Sequence, residues 1–175
     1  MERMGRYYHA TITALPVGEN PGPKAYDYSG DPERQKLEAF LESRRPIESC
    51  SRLTSWFACD TPANSARYLD AELSRMTKVT AEVKLYGVEF AKSSKQPMVL
   101  VNAMNIALSE NDAATAETLA AEYWRPTREW KFWEYTAPEV RVVEKVEWPD
   151  GVAQSLAFMT YQGDDRRLKQ MLSPR

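Results

Sequence analysis

Glu134 sits between Trp133 and Tyr135, with Pro138 four residues further on, so a carboxylate is placed among bulky rings where the chain starts a strand. A carboxylate walled by aromatic side chains resists full hydration, and charge kept in that way is often kept for chemistry. The plainer alternative is a solvated glutamate between two packed rings. His9 is the sole histidine, readable either as a structural residue or as a ligand-binding one. With no second histidine, and with Cys50 and Cys59 at no recognisable ligand spacing, a zinc site is not expected. There is no Gly-rich phosphate loop, no Gly-x-Ser-x-Gly elbow and no Cys/His pair for nucleophilic attack. Most familiar reaction classes are excluded by these omissions.

Elements must bring such residues together. Arg6 to Leu15 is rich in aromatic and β-branched residues and reads as a first strand carrying His9 and Thr11. Pro16 to Gly30 holds three prolines and three glycines and reads as an irregular loop of a length that is often functional. Asp31-Pro32 opens a helix with an apolar stripe of Leu37, Phe40 and Leu41, ending near Arg45-Pro46. Cys50 to Cys59 fits a strand whose start, with three hydroxyls and one arginine, faces a cleft. Asp60-Thr61-Pro62 caps a second helix bearing Ala66, Leu69, Leu73 and Met76, with Tyr68 beside the stripe as ordinary core packing.

Val79 to Phe90 alternates as a strand until Gly87, where the phase changes and a bulge or close backbone approach is expected. Lys92 to Pro97 reads as a loop. Leu100, Val101, Met104, Ala107 and Leu108 mark a helix, and a second helix from Asn111 or Asp112 to Trp124 pairs with it as a hairpin. From Val140 to Trp148 the period is that of a half-buried strand. Leu156 to Tyr161 reads as a last strand, and Gly163-Asp164-Asp165 as the cap of a terminal helix with Leu168, Met171 and Leu172. Strands and helices interleave without the even alternation and Gly-rich turn of a dinucleotide-binding Rossmann domain. The expected class is α+β with a mostly antiparallel, split sheet.

A chain of 175 residues, 43% hydrophobic with five Trp and nine Tyr, can bury a sizeable core, and one domain over residues 1–175 is expected. The formal charge of -2 exerts no global pull on nucleic acid or anionic lipid, although Arg44-Arg45 and Arg166-Arg167 leave phosphate contacts open. Cys50 and Cys59 read as buried thiols in a reducing compartment. The first six residues lack an apolar signal region and no run approaches the ~20 apolar residues of a membrane span, so a cytoplasmic protein with no membrane contact is expected.

Three segments in order resemble the ADP-ribosyltransferases: Tyr7-Tyr8-His9-Ala10-Thr11, then Ser51-Arg52 to Ser55-Trp56-Phe57-Ala58 followed by a helix with Tyr68, then Glu134 with its Pro-x-Val-x-Val-Val run. The layout is most similar to the small bacterial rifampin ADP-ribosyltransferases and related bacterial and phage domains, and covers most of the chain through short motifs. The resemblance implies an ADP-ribosyltransferase-like split sheet with flanking helices. It also implies NAD as co-substrate, cleaved at the nicotinamide glycosidic bond, with ADP-ribose passed to a protein, nucleic-acid or small-molecule acceptor, as in a toxin or a resistance factor.

Carried over position by position, His9 matches the histidine that bonds a ribose hydroxyl of NAD, with Thr11 supporting the nucleotide. Ser51, Arg52 and Ser55 match the second strand, which holds the cofactor and nicotinamide ribose. Either Trp56 or Tyr68 supplies the aromatic surface for nicotinamide, and Glu134 matches the catalytic acid at the 2'-hydroxyl. Two departures bear on the acceptor. Phe132 stands where arginine-directed members carry a second glutamate, and the Ser-Thr-Ser triplet of the toxin branch is missing. The alternative is a non-catalytic interaction domain of the same fold, with Glu134 solvated and the aromatics of Trp124 to Trp133 exposed to a protein partner. An RNA 2'-phosphotransferase-like enzyme is a third class and wants more basic charge around a cleft.

Overall fold

Short aromatic and β-branched runs form six strands: β1 (Gly5–Thr11), β2 (Trp56–Cys59), β3 (Lys84–Phe90), β4 (Ser94–Pro97), β5 (Trp133–Ala137) and β6 (Arg141–Val146). In this computed structural model, which describes residues 5–73 and 83–150, they make one sheet in the order β4-β5-β2-β1-β3-β6. Each neighbouring pair is antiparallel. Four helices accompany them, α1 (Pro32–Glu42), α2 (Pro62–Leu73), α3 (Val99–Ser109) and α4 (Ala113–Trp124). The architecture is α+β. Met76, the start of the Val79 strand, the Leu156 to Tyr161 strand and the terminal helix after Gly163 lie outside the described residues.

The sheet is weakly joined at one seam. β1 pairs with β3 throughout, from Gly5↔Phe90 to Thr11↔Lys84, but with β2 only at Tyr8↔Cys59. Beyond that position the two strands part, and backbone ladder bonds no longer tie His9–Thr11 to Trp56–Ala58. β2 continues on its other edge to β5, through Cys59↔Glu134 and Trp56↔Ala137. A strand buried along its whole length, as β2 is, is thus held mainly from one side.

Local chemistry sets the helix ends. The Asp31 carboxylate accepts from the Arg34 amide at 3.0 Å and the Thr61 hydroxyl from the Asn64 amide at 3.1 Å, filling donors that the first turn leaves unpaired. α3 closes with Asn111 at φ 57, a left-handed position that asparagine tolerates. Asp112 N–H then reaches Ala107 O at 2.8 Å, while its carboxylate caps α4 through Thr115. One turn both ends α3 and begins α4, which makes the expected hairpin.

Several boundaries differ from the sequence reading. Ser94–Pro97 is a short edge strand on β5 rather than a loop; four residues with no apolar alternation carry too little pattern to be read. Cys50–Ser55 is not strand, because Arg52 turns into the core and the Ser51 hydroxyl accepts from the Leu53 amide. Pro138, which has no N–H to donate, separates β5 from β6, so Glu134 lies on a strand of its own, as the second of its five residues. Gly87 does mark a register shift against β6. A Cβ there would stand 2.9 Å from the Glu144 side chain.

Two buried clusters flank the sheet. One unites α1, α3 and α4 with Trp124, Trp130 and Trp133; the other gathers Trp56, Tyr86, Val88, Phe90 and Val142. The aromatics between Trp124 and Trp133 were expected at the surface in the interaction reading, yet the three tryptophans are buried. Each ring is worth more in the core, where about 150–250 Å² of its surface leaves water. Trp124 Nε1–H still finds an acceptor, Leu41 O at 3.0 Å.

Candidate functional site

The parting of β1 from β2 opens a cavity of about 530 Å³, within the range of small-molecule sites. Its lining comes from the end of β1, from β2, from Glu134 on β5, from Ser65, Tyr68 and Leu69 on α2, and from the loop between β1 and α1.

His9 spans the seam with a side chain where ladder bonds stop. Its Nδ1 lies 2.6 Å from Phe57 O. A carbonyl only accepts, so Nδ1 carries the proton, and in the neutral ring Nε2 is left as an acceptor. Burial pushes the imidazole down to about 4, partly opposed by the bond to Phe57 and assisted by the nearby Lys24 ammonium. The ring is therefore neutral near pH 7. Trp56 packs its ring against His9 at 5.3 Å, and its own Nε1–H donates to Gly22 O at 2.9 Å.

Glu134 is not solvated; it is 2% exposed. Its Oε1 accepts from Arg52 Nη1 and from the Tyr123 hydroxyl, while the same Nη1 also donates to that hydroxyl oxygen. No hydrogen bond to Oε2 occurs among the described residues. Arg52 is itself buried, and its other face donates to Glu38, Nε to Oε2 at 2.8 Å and Nη2 to Oε1 at 3.1 Å. Arg34 completes the chain of charges by pairing with Glu38 at 2.8 Å. Burial raises the Glu38 carboxyl, but Arg52 and Arg34 more than offset this and hold it below the usual carboxylate range. Burial works against the Arg52 charge too, and Glu134 and Glu38 overcome it. Glu38, paired with two guanidiniums, stays ionised where a lone carboxylate in a dry core would not.

A wall faces these groups from the loop. Lys24, Tyr26 and Tyr28 alternate along the loop, and all three line the cavity. Tyr26 and Tyr28 stack nearly parallel with centroids 5.9 Å apart. Lys24 Nζ lies over Tyr26, and the Arg34 guanidinium stands over Tyr28. Tyr26 also meets Phe57 edge-on. The surface offers flat rings with a cation at either end.

Of the residues singled out from the sequence, His9, Thr11, Tyr68 and Glu134 line this one cavity. Arg52 does not line it but holds Glu134 from behind. Ser51, Ser55 and Trp56 are not among the lining residues: Ser51 caps a turn, Ser55 is fully buried with its hydroxyl unpartnered among the described residues, and Trp56 supports His9. Sequence reading missed Tyr123, Glu38 and the loop wall. The period-two Lys24-x-Tyr26-x-Tyr28 pattern was a usable signal, whereas the Arg52 to Glu38 pairing has no local signature. Cys50 and Cys59 are free and buried, and burial beside Glu134 and Asp60 raises the Cys59 thiol. No group of His, Cys, Asp and Glu among the described residues is arranged to hold a metal, and no described helix is long and apolar enough to cross a membrane. Searches against protein-family models and against curated proteins return no match for the chain.

Proposed function

We propose that the chain is an NAD-dependent mono-ADP-ribosyltransferase built on an ADP-ribosyltransferase-like split sheet. The observation that carries the reading is that His9 and Glu134, on β1 and β5, line a single cavity. In this reading His9 Nε2 accepts a ribose hydroxyl, Tyr68 rather than Trp56 offers the face for nicotinamide, and Thr11 lies beside the nucleotide. Glu134 is the catalytic acid group. When the bond between the sugar carbon and nicotinamide breaks, the electron pair leaves with nicotinamide and positive charge grows on the sugar. A fixed carboxylate in a site poor in water stabilises that charge far better than bulk solvent does. The acceptor's lone pair then closes on the sugar carbon and its proton is released.

Arg52 and Tyr123 have a supporting part. By occupying Oε1 they fix the carboxylate plane and leave Oε2 for the sugar. Phe132, in place of a second glutamate, weighs against arginine as acceptor; a protein side chain of another type, a nucleic acid or a small molecule remains. The test is incubation with NAD labelled in its adenosine half, with cell lysate supplying acceptors. Release of nicotinamide with label appearing on one acceptor class is the expected result. NAD left intact above background would remove the reading.

A further inference from the structure

Each charged side chain lining the cavity has an ion-pair or hydrogen-bond partner, with one exception. Glu134 meets Arg52, Arg34 meets Glu38, Asp31 caps α1, and Asp27 accepts from the Ser29 amide. Among the described residues Lys24 has neither an ion pair nor a hydrogen bond. Its ammonium is held instead by rings, 4.5 Å from the Trp56 centroid and 5.9 Å from that of Tyr26. Rings stabilise a cation but leave its three N–H donors unused. Trp56 is pinned by its bond to Gly22 O, so the ammonium is placed rather than loose. It is also near His9, whose imidazole feels its charge.

We propose that Lys24, backed by Trp56 and Tyr26, is an anion subsite of the cavity and takes a phosphate of a nucleoside diphosphate whose sugar lies against His9. A half-buried cation with a free donor set gains from an anion what it lacks from the protein, and a charge-assisted bond to phosphate is the strong kind. The stacked Tyr26 and Tyr28 rings beside it suit the planar base of the same ligand. The subsite deepens the transferase reading but does not depend on the glycosidic bond being cut.

The test is a calorimetric titration of the full chain with ADP and, separately, with adenosine, while the signals of its only imidazole, His9, are followed by NMR. ADP is expected to bind more tightly than adenosine, to move the His9 signals, and to lose affinity as potassium chloride is added. In Lys24→Met the affinity for ADP falls about tenfold or more, Lys24→Arg restores most of it, and adenosine binds all three alike. The salt response of the wild type needs no variant to fold. The subsite is overturned if ADP binds no better than adenosine, if it binds Lys24→Met as well as the wild type, or if it binds without moving His9. ADP binding through Lys24 with no nicotinamide release keeps the subsite and removes the transferase reading; release that is indifferent to Lys24→Met, with ADP binding also unchanged, does the reverse.

Discussion

At the scale of the residue, the site depends on how Arg52 is shared. Two carboxylates and a tyrosine hydroxyl converge on one buried guanidinium, so removing the cation is worse than removing any one partner. Arg52→Met should leave Glu38 and Glu134 without their shared counter-ion and lower stability by about 3–5 kcal/mol or more, read by denaturant unfolding. Tyr123→Phe keeps the ring and removes one hydroxyl, so about 1–3 kcal/mol is expected. His9 makes a separate prediction. The unfolded chain takes up its proton near 6.5 and the folded chain resists until about 4, so stability is full above pH 6.5 and is lost as pH falls toward 4. The loss approaches about 3 kcal/mol. Carboxylates, with an ordinary value of 4.5 for glutamate, add most of their slope below about pH 5, so between pH 6.5 and about 5 the decline should largely vanish in His9→Asn if His9 causes it. A slope retained in that variant would contradict the assigned neutrality.

At the scale of the element, helix ends and strand breaks explain what the sequence could and could not tell. Asp31-Pro32 and Asp112 were legible as caps because capping is a contact across three residues, and both carboxylates do accept from the amide three positions on. Asp112→Ala should cost about 1 kcal/mol, with a smaller change in melting temperature if the αL turn at Asn111 carries the hairpin alone. Gly87 was legible as a phase change for the same reason. β4 was not, since its four residues are strand only through pairing with β5. Arg52 was mistaken for a strand residue because its partners on α1, α4 and β5 are distant in sequence. The interaction alternative placed the aromatics from Trp124 to Trp133 at the surface because composition cannot tell a packed ring from an exposed one; Trp124, Trp130 and Trp133 pack instead with the α3–α4 hairpin.

At the scale of the molecule, antiparallel order and α+β class followed from the pattern, and the position of the cavity did not. The cavity exists because β1 and β2 share one paired position and then part, a property of register rather than of either strand alone. His9 and Glu134 could be picked out singly as unusual; that they face one space is a property of strand order. A ligand that fills this space should stabilise the fold by mass action, about 2.7 kcal/mol at a hundredfold excess over its dissociation constant, so NAD should raise the melting temperature of the wild type and do so less for Lys24→Met. The most direct measurement of the central claim is the rate of nicotinamide release from NAD by the wild type and by Glu134→Gln, both confirmed folded, with lysate present as acceptor. The expected result is release by the wild type and a fall of about a hundredfold to a thousandfold in the variant; equal rates in the two proteins would contradict it.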